Sequence, residues 1–175
     1  MSSDPAHITL AQMEAMRAGA RVAVRTCMGI QPGDRVFVLT DRATIGIGRL
    51  LAEEAAEVRS EVLLRELEQY VPRPVLTFPD ELRAELRKFR PTVTFYAATS
   101  QPGEVTFRTA LRTYLLSEYK VRHAHMPGVT KQLMIEGMRA DYRVVSSVTT
   151  AVYDLGRVAS EIHVTTPDGT DLTAS

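Results

Sequence analysis

The sequence contains very little cysteine, because Cys27 is the single thiol among 175 residues. One thiol cannot form an internal disulfide, and no cysteine pair exists that could hold a structural zinc ion. The sequence therefore excludes a scaffold stabilised by disulfides. Such sparing use of cysteine is typical of proteins in a reducing compartment, so we expect a cytoplasmic protein.

An excess of charge is also lacking, because 21 Lys and Arg residues balance 21 Asp and Glu residues. Balanced charge gives no electrostatic reason to expect nucleic acid or an anionic membrane surface as a partner. No apolar run approaches the roughly 20 residues that a membrane-spanning helix needs. The small, polar segment Met1–His7 lacks the basic and apolar stretches of a secretory signal. We therefore expect a soluble protein with no nucleic-acid partner and no membrane partner.

The motifs of several large enzyme classes are missing as well. A dinucleotide-binding turn needs G-x-G-x-x-G at the start of a helix, so that the backbone can approach a pyrophosphate. Here Gly46 and Gly48 lie inside a predicted helix without a third glycine in register. There is no P-loop and no G-x-S-x-G nucleophile elbow. The two glycines instead predict close packing of this helix on a sheet.

Short β-branched runs alternate with amphipathic helical stretches. The nearly all-apolar run 35–40 is typical of a central strand covered on both faces. Repetition of strand, helix and strand about five times predicts an α/β fold with a doubly wound, mostly parallel open sheet and helices on both faces. The predicted strands are 35–40, 61–67, 92–97, 119–126, 142–145 and 161–166. Predicted helices begin near Thr9, Thr44, Asp80, Thr130 and Ser147, and a further one, with Phe107, Leu111 and Leu115 on one face, follows the turn at 101–103.

The sequence predicts an amino-terminal helical region over residues 1–19 and one α/β domain over residues 20–175. Thr9 and Gln12 form a capping-box pattern at the start of the first helix. Cys27 falls on the apolar stripe of that helix and is expected to be buried. Near the end, Thr170–Ser175 starts a further alternating run, either as an edge strand or as the passage into a second domain.

Ligands bind a doubly wound sheet at the carboxyl ends of its strands. There the sequence places five candidates for a small-ligand crevice: Asp41, Arg42, Arg122, His123 and His125. Arg42 and Arg122 would attract an anion. His123 and His125 are two apart on a strand and so share a face, but a working zinc site needs a third ligand that the neighbouring sequence does not supply. Anchoring of a loop by hydrogen bonds is the alternative interpretation, and no residue is predicted to be catalytic.

Three further interpretations concern isolated side chains. His7 is expected in a loose terminus, and His163 on the polar face of a strand. Glu104 and Arg108 have the four-residue spacing of an ion pair on a helix surface.

Several segments resemble the aminopeptidase T family of metal-dependent exopeptidases, over about residues 20–172. The similar segments are Cys27, Gly29-Ile30, Pro32-Gly33-Asp34, Thr40-Asp41, Arg122–Gly128, Glu136–Tyr142 and Val164–Leu172. The resemblance implies the amino-terminal domain of a two-domain homodimeric enzyme, whose divalent metal ions are bound by the carboxyl-terminal domain. This chain would then hold no cofactor and would meet peptide substrate only together with that other domain. Ring-opening dioxygenases of dihydroxypyridine share the two-domain plan, and a free-standing ligand-binding or assembly module is the alternative.

Overall fold

The computed structural model describes residues 9–175, so His7 lies outside the described residues. The chain forms two compact units, which divide between Arg139 and Ala140. The sequence instead predicts a separate amino-terminal helical region over residues 1–19. The first helix belongs with the sheet because it packs against two other helices of the first unit, which start at Ile45 and Lys131.

The first unit is built on a four-stranded parallel sheet in the order β2-β1-β3-β4. This sheet confirms the predicted α/β class. Its strands are β1 (Arg35–Thr40), β2 (Glu61–Glu66), β3 (Val93–Ala97) and β4 (Arg122–His125), and its helices are α1 (Leu10–Arg21), α2 (Ile45–Ala56), α3 (Asp80–Phe89), α4 (Val105–Tyr119) and α5 (Lys131–Ile135).

The central strand β1 is covered on both faces, as its apolar run predicts. Val36 and Val38 point into a core with α1, α2 and α5. Phe37 and Leu39 point into a second core with α3 and α4. Each of these four side chains is at most 1% exposed. Because successive side chains of a strand point to opposite faces of the sheet, β1 contributes to both cores.

The first helix begins at the predicted capping box, in which Gln12 N donates to Thr9 Oγ1 at 3.2 Å. It continues into a π-helix over Val22–Cys27, where Met28 N donates to Ala23 O at 2.9 Å. The expected burial of Cys27 is wrong, because its side chain is exposed. A π turn holds more residues than an α turn, so the apolar stripe rotates away before it reaches position 27.

The close packing predicted for α2 is confirmed at one of its two glycines. A Cβ at Gly48 would lie 3.1 Å from side-chain carbons of Thr40 and Leu64, so the helix backbone lies directly on the sheet. A Cβ at Gly46 would have no neighbour within 4 Å. Gly46 therefore has no part in this contact.

The second unit contains one helix and one hairpin. Helix α6 (Tyr142–Gly156) replaces the predicted strand 142–145 and the predicted helix start at Ser147, both of which are wrong. Asp141 caps the helix by accepting from Arg143 N at 3.0 Å, so the helix begins five residues earlier. Strands β5 (Ile162–Thr165) and β6 (Asp171–Ala174) pair antiparallel with each other, so the run 170–175 contains an edge strand, which is one of the two interpretations of that run.

Within residues 9–175, no helix has the length and apolar character required to cross a membrane.

Candidate functional site

The chain changes direction across the sheet between β1 and β3, which are neighbours although β2 lies between them in sequence. Helix α2 follows β1 and packs on one face of the sheet, whereas α4 follows β3 and packs on the other face. The loops that leave β1 and β3 therefore diverge at their carboxyl ends, which is where ligands bind in open α/β sheets. Asp41 follows β1 and Thr99 follows β3 at this point.

Asp41 is buried at the carboxyl end of β1 and accepts hydrogen bonds on both carboxylate oxygens. Oδ1 accepts from Thr44 N at 2.9 Å and from Thr44 Oγ1 at 2.8 Å. Oδ2 accepts from Thr99 N at 2.8 Å, from the Thr99 hydroxyl and from Arg73. The carboxylate thus connects the loops after β1 and β3 to the loop that carries Arg73.

Arg73 is the centre of this buried cluster, with a side chain 5% exposed. Its Nε donates to Glu104 Oε1 at 2.8 Å, and a terminal nitrogen donates to Glu104 Oε2. The remaining donors reach Asp41, Thr99 Oγ1 at 2.9 Å and Thr99 O at 2.8 Å. All five N–H groups of the guanidinium therefore have an acceptor, which is the full hydrogen-bonding capacity of arginine.

The electrostatics of the cluster keep both carboxyl groups ionised. Burial by itself would raise the pKa of Asp41, but hydrogen bonds from Thr99 and Thr44 outweigh it and hold that pKa below its ordinary value. Burial likewise opposes ionisation of Glu104, whose pKa is lowered by Arg73 and by Val75 N, a donor at 2.9 Å. Since every charged group is saturated with partners, the cluster can fix three loops but offers no free acid, base or nucleophile.

Tyr96 of β3 lies beside this cluster with 1% exposure, and its hydroxyl has no hydrogen-bond partner among the described residues. Burial, followed by the nearby Glu104 carboxylate, raises the pKa of Tyr96 to about 12, so the hydroxyl remains protonated. A buried hydroxyl without a partner costs about 1–3 kcal/mol of desolvation.

Replacement of Tyr96 by Phe is therefore expected to raise the free energy of unfolding by about 1 kcal/mol, because it removes the hydroxyl and keeps the ring. Tyr114→Phe is the matched control, since the Tyr114 hydroxyl lies 3.1 Å from the Tyr119 hydroxyl and its loss should be neutral or mildly destabilising. Urea unfolding of the three proteins measures both effects. A clear loss of stability in Tyr96→Phe would show that its hydroxyl has a binding partner.

His123 and His125 share a face of β4, as predicted, with His123 Nε2 3.4 Å from His125 Nδ1. His123 Nδ1 lies 2.7 Å from Thr94 Oγ1 on the neighbouring strand, and His125 stacks on the Tyr96 ring. Burial, with some repulsion from His125, lowers the pKa of His123 to about 4, so it is neutral at pH 7. Among the described residues, no three His, Cys, Asp or Glu side chains are grouped closely enough to hold a metal ion. The contact between His123 and Thr94 therefore joins two neighbouring strands.

Arg122 is not part of the crevice that the sequence predicts. It is the first residue of β4, so it lies at the amino edge of the sheet, opposite the edge that carries Asp41. Its guanidinium donates to Asp34 Oδ2 at 2.6 Å and to the carbonyl oxygens of Met28 and Gly29 at 2.7 and 2.6 Å. These contacts hold the turn before β1 and leave no reason to place an anion there.

Arg42 does lie at the carboxyl edge, as predicted. Its exposed side chain lines an open groove of about 390 Å³ with Glu68, Tyr70, Pro72 and Arg73. A groove of this volume is within the range that small ligands occupy. A larger groove of about 510 Å³ runs along β2 near Arg35 and Arg90, away from the carboxyl ends, and we favour the smaller one because of its position at the change of direction.

Arg73 is not among the site residues that the sequence predicts, and Glu104 lies in the interior rather than on the predicted helix surface. The predicted surface ion pair between Glu104 and Arg108 is wrong, because Glu104 is fully buried and binds Arg73, while Arg108 donates to Ser100 Oγ at 3.0 Å. One feature of the sequence could have identified Arg73 as a candidate site residue. It lies between Pro72 and Pro74 in a loop that follows a predicted strand. His163 lies on an exposed strand, as expected, 2.6 Å from Asp171.

Comparison with solved structures shows which proteins share this fold and how much of their length the chain matches. The chain is similar to 2,5-dihydroxypyridine dioxygenase from Pseudomonas putida KT2440, with TM-score 0.57 and 14% identity over 96% of this chain and 48% of that one. It is also similar to AmpT from Thermus thermophilus, with TM-score 0.52 and 15% identity over 90% of this chain and 52% of that one. The chain therefore spans about half the length of each. The N-terminal domain of FACL13 from Mycobacterium tuberculosis matches with a TM-score of 0.49, 20% identity and coverage of 73% of this chain and 28% of that one.

No protein-family model matches the chain, and no curated protein matches it significantly.

Proposed function

We propose that the chain is the amino-terminal half of a two-domain, metal-dependent aminopeptidase, which removes amino-terminal residues from peptides. The supporting observation is the extent of the likeness to AmpT, which includes 90% of this chain and 52% of the other. The segments Arg122–Gly128, Glu136–Tyr142 and Val164–Leu172 add a resemblance in sequence to the aminopeptidase T family. The likeness in structure supports the domain plan, and the sequence segments favour the peptidase activity.

In this proposal, the other half of the enzyme binds divalent metal ions, which activate water for peptide hydrolysis. Residues 9–175 contain no group of three or more His, Cys, Asp or Glu side chains that could hold such an ion. The contribution of this half is a rigid wall for the substrate cavity. The buried cluster of Asp41, Arg73 and Glu104 fixes the loops at the carboxyl edge, and Arg42 presents its side chain to the groove there.

A ring-opening dioxygenase is the second candidate, favoured by one specific observation. The likeness to the dihydroxypyridine dioxygenase has the higher TM-score, 0.57 against 0.52, and includes 96% of this chain. That activity also needs a metal, because non-haem oxygenases bind ferrous iron through histidine and carboxylate ligands. The same domain plan therefore serves either chemistry.

The test compares residues 1–175 with the polypeptide that the source DNA encodes when translation continues beyond the Ser175 codon. We expect the longer polypeptide to cleave leucine p-nitroanilide when a divalent metal is added. We expect residues 1–175 to show no metal-stimulated cleavage. Turnover by residues 1–175 alone would contradict the assignment of the chemistry to the other half.

A parallel assay separates the two candidates. Oxygen-dependent loss of 2,5-dihydroxypyridine with ferrous iron, in the absence of peptidase activity, would establish the dioxygenase instead. A stop codon directly after Ser175 would refute both, and would favour a free-standing ligand-binding or assembly module. In that case thermal-shift assays with small anions would test the groove near Arg42.

A further inference from the structure

Two arginines of α4 lie beside the edge strand β4. Arg108 and Arg112 are four residues apart, so they project from the same side of the helix. Each follows a buried residue, Phe107 or Leu111, so the pair borders the face of α4 that packs on the sheet. Strand β4 is the last strand in the order β2-β1-β3-β4, and α4 contacts it. The two guanidinium groups therefore lie near His125, the last residue of β4, and their positive charges act on its ring.

The neighbouring loops place this group of side chains at the carboxyl edge of the sheet. Arg108 donates to Ser100 Oγ at 3.0 Å, in the loop after β3. Gly128, in the loop after β4, lies next to the same serine, since a Cβ at Gly128 would be 3.7 Å from Ser100 Cβ. Open α/β sheets bind ligands at this edge. We call Arg108, Arg112 and His125 the α4–β4 cluster.

The α4–β4 cluster is positively charged and has no acidic partner. In the part of the chain that the structure describes, neither Arg108 nor Arg112 lies within ion-pair distance of a carboxylate. Burial first, and then these two guanidinium groups, hold the pKa of His125 below its ordinary value. Like charges four residues apart on a helix also repel each other. The fold therefore holds two full positive charges together, and no carboxylate of residues 9–175 balances them.

Hydrogen-bond donors also exceed acceptors around the cluster. The Tyr96 ring stacks on His125 with the ring centroids 5.5 Å apart, and its protonated hydroxyl is buried without a partner among the described residues. Arg108 is one of the charges that act on this hydroxyl. The guanidinium of Arg112 has no hydrogen bond to any of residues 9–175. Because buried polar groups without a partner are rare, such a group often marks the place of an ion or a water molecule.

The number of charges indicates which ligand the cluster fits. Two guanidinium groups call for two negative charges, whereas an Asp or Glu side chain supplies one. A phosphate group carries about two negative charges at pH 7, and its oxygens accept paired hydrogen bonds from guanidinium groups. Arg112 and His125 are exposed, so an ion from solvent can reach them. We propose that the α4–β4 cluster binds a phosphate dianion, as the free ion or as a small phosphate monoester, independently of the function proposed above.

Titration of the 175-residue chain with inorganic phosphate, followed by NMR of the backbone amides at constant ionic strength, tests the site. We expect saturable shifts centred on Ser100, Arg112 and His125, with a dissociation constant in the millimolar range. Arg112→Met should weaken binding by about tenfold or more, because it removes a charge-assisted hydrogen bond. Arg49→Met is the matched control, an exposed helix arginine on α2, and should leave binding unchanged. Equal weakening by both variants, or shifts centred on Arg42 instead, would overturn the proposal.

A comparison of anions tests the number of charges. Sulfate, a dianion, and phenyl phosphate, a monoester, should bind to the α4–β4 cluster, whereas acetate, a monoanion, should bind about tenfold more weakly or not at all. Tighter binding of phenyl phosphate than of inorganic phosphate would assign the site to a monoester, and the reverse order would assign it to the free ion. Equal binding of acetate would overturn the proposal.

The polypeptide that continues beyond Ser175, where the source DNA encodes one, provides a further control. Phosphate should bind the longer polypeptide at the same cluster as it binds the 175-residue chain. Binding to the 175-residue chain alone would overturn the proposal, because carboxylates of the other half would then be the partners of Arg108 and Arg112.

Discussion

Replacement of Arg73 by Met is expected to lower the free energy of unfolding by about 3–5 kcal/mol, because it leaves two buried carboxylates without their cation. Asp41 and Glu104 have side chains 2% and 0% exposed, so water cannot replace the guanidinium. The substitution also removes five hydrogen bonds and loosens the loops after β1, β2 and β3. Urea unfolding followed by far-UV circular dichroism measures the loss.

The same variant has a diagnostic dependence on pH. In the wild type, the pKa values of Asp41 and Glu104 lie below their ordinary values, so both carboxylates stabilise the fold above about pH 4 and lose this effect as pH falls through their folded pKa values. Without Arg73, Glu104 loses the partner that most lowers its pKa, so burial raises that pKa, whereas Asp41 keeps its hydrogen bonds from Thr99 and Thr44. The difference in stability between the two proteins should thus be largest at pH 7 and shrink in acid.

Arg42→Met is the matched control for Arg73→Met. Arg42 is an exposed arginine at the same edge of the sheet, and its side chain lies within ion-pair distance of no acidic group among residues 9–175, so its loss should change stability by less than about 0.5 kcal/mol. Equal effects of the two substitutions, or an Arg73→Met effect that grows in acid, would contradict the role assigned to the buried cluster.

Periodicity explains how much of the fold could be predicted from the sequence. The nearly all-apolar run 35–40 predicts a strand covered on both faces, and β1 is that strand. Helix α6 was predicted wrongly because Val144 and Val145 are β-branched and favour a strand. The cap at Asp141 decided the outcome, since it starts the helix before those valines.

The candidate site could be predicted only in part, because its central contacts are distant in sequence. Asp41 and Arg42 follow from the rule that ligands bind at the carboxyl ends of strands, which needs no tertiary information. Arg73 lies 32 residues from Asp41 and 31 from Glu104, and no spacing rule connects them. Arg122 was misplaced because the predicted strand 119–126 was too long at its amino end, which moved that residue toward the wrong edge.

The contact between α1 and α5 gives the second large effect, because it depends on the absence of a side chain. Helix α1 lies so close to α5 that a Cβ at Gly19 would overlap the backbone carbonyl of Met134 and reach within 3.2 Å of Met138 Cβ. A carbonyl within a helix turn cannot move aside as a flexible side chain can. Gly19→Ala must therefore push the two helices apart and disturb the core around Met134, which is fully buried.

We expect Gly19→Ala to cost about 3 kcal/mol of stability, since overpacking outweighs the gain in helix propensity. Two other glycines calibrate this result. Gly46→Ala meets open space near the start of α2 and should stabilise by about 0.5 kcal/mol through propensity alone. Gly48→Ala meets only side-chain carbons at 3.1 Å and should fall between them. Thermal unfolding measures the stability of the three variants. If Gly19→Ala were as stable as Gly46→Ala, the close approach of α1 to α5 would be disproved. Helix α1 would then pack on α2 alone.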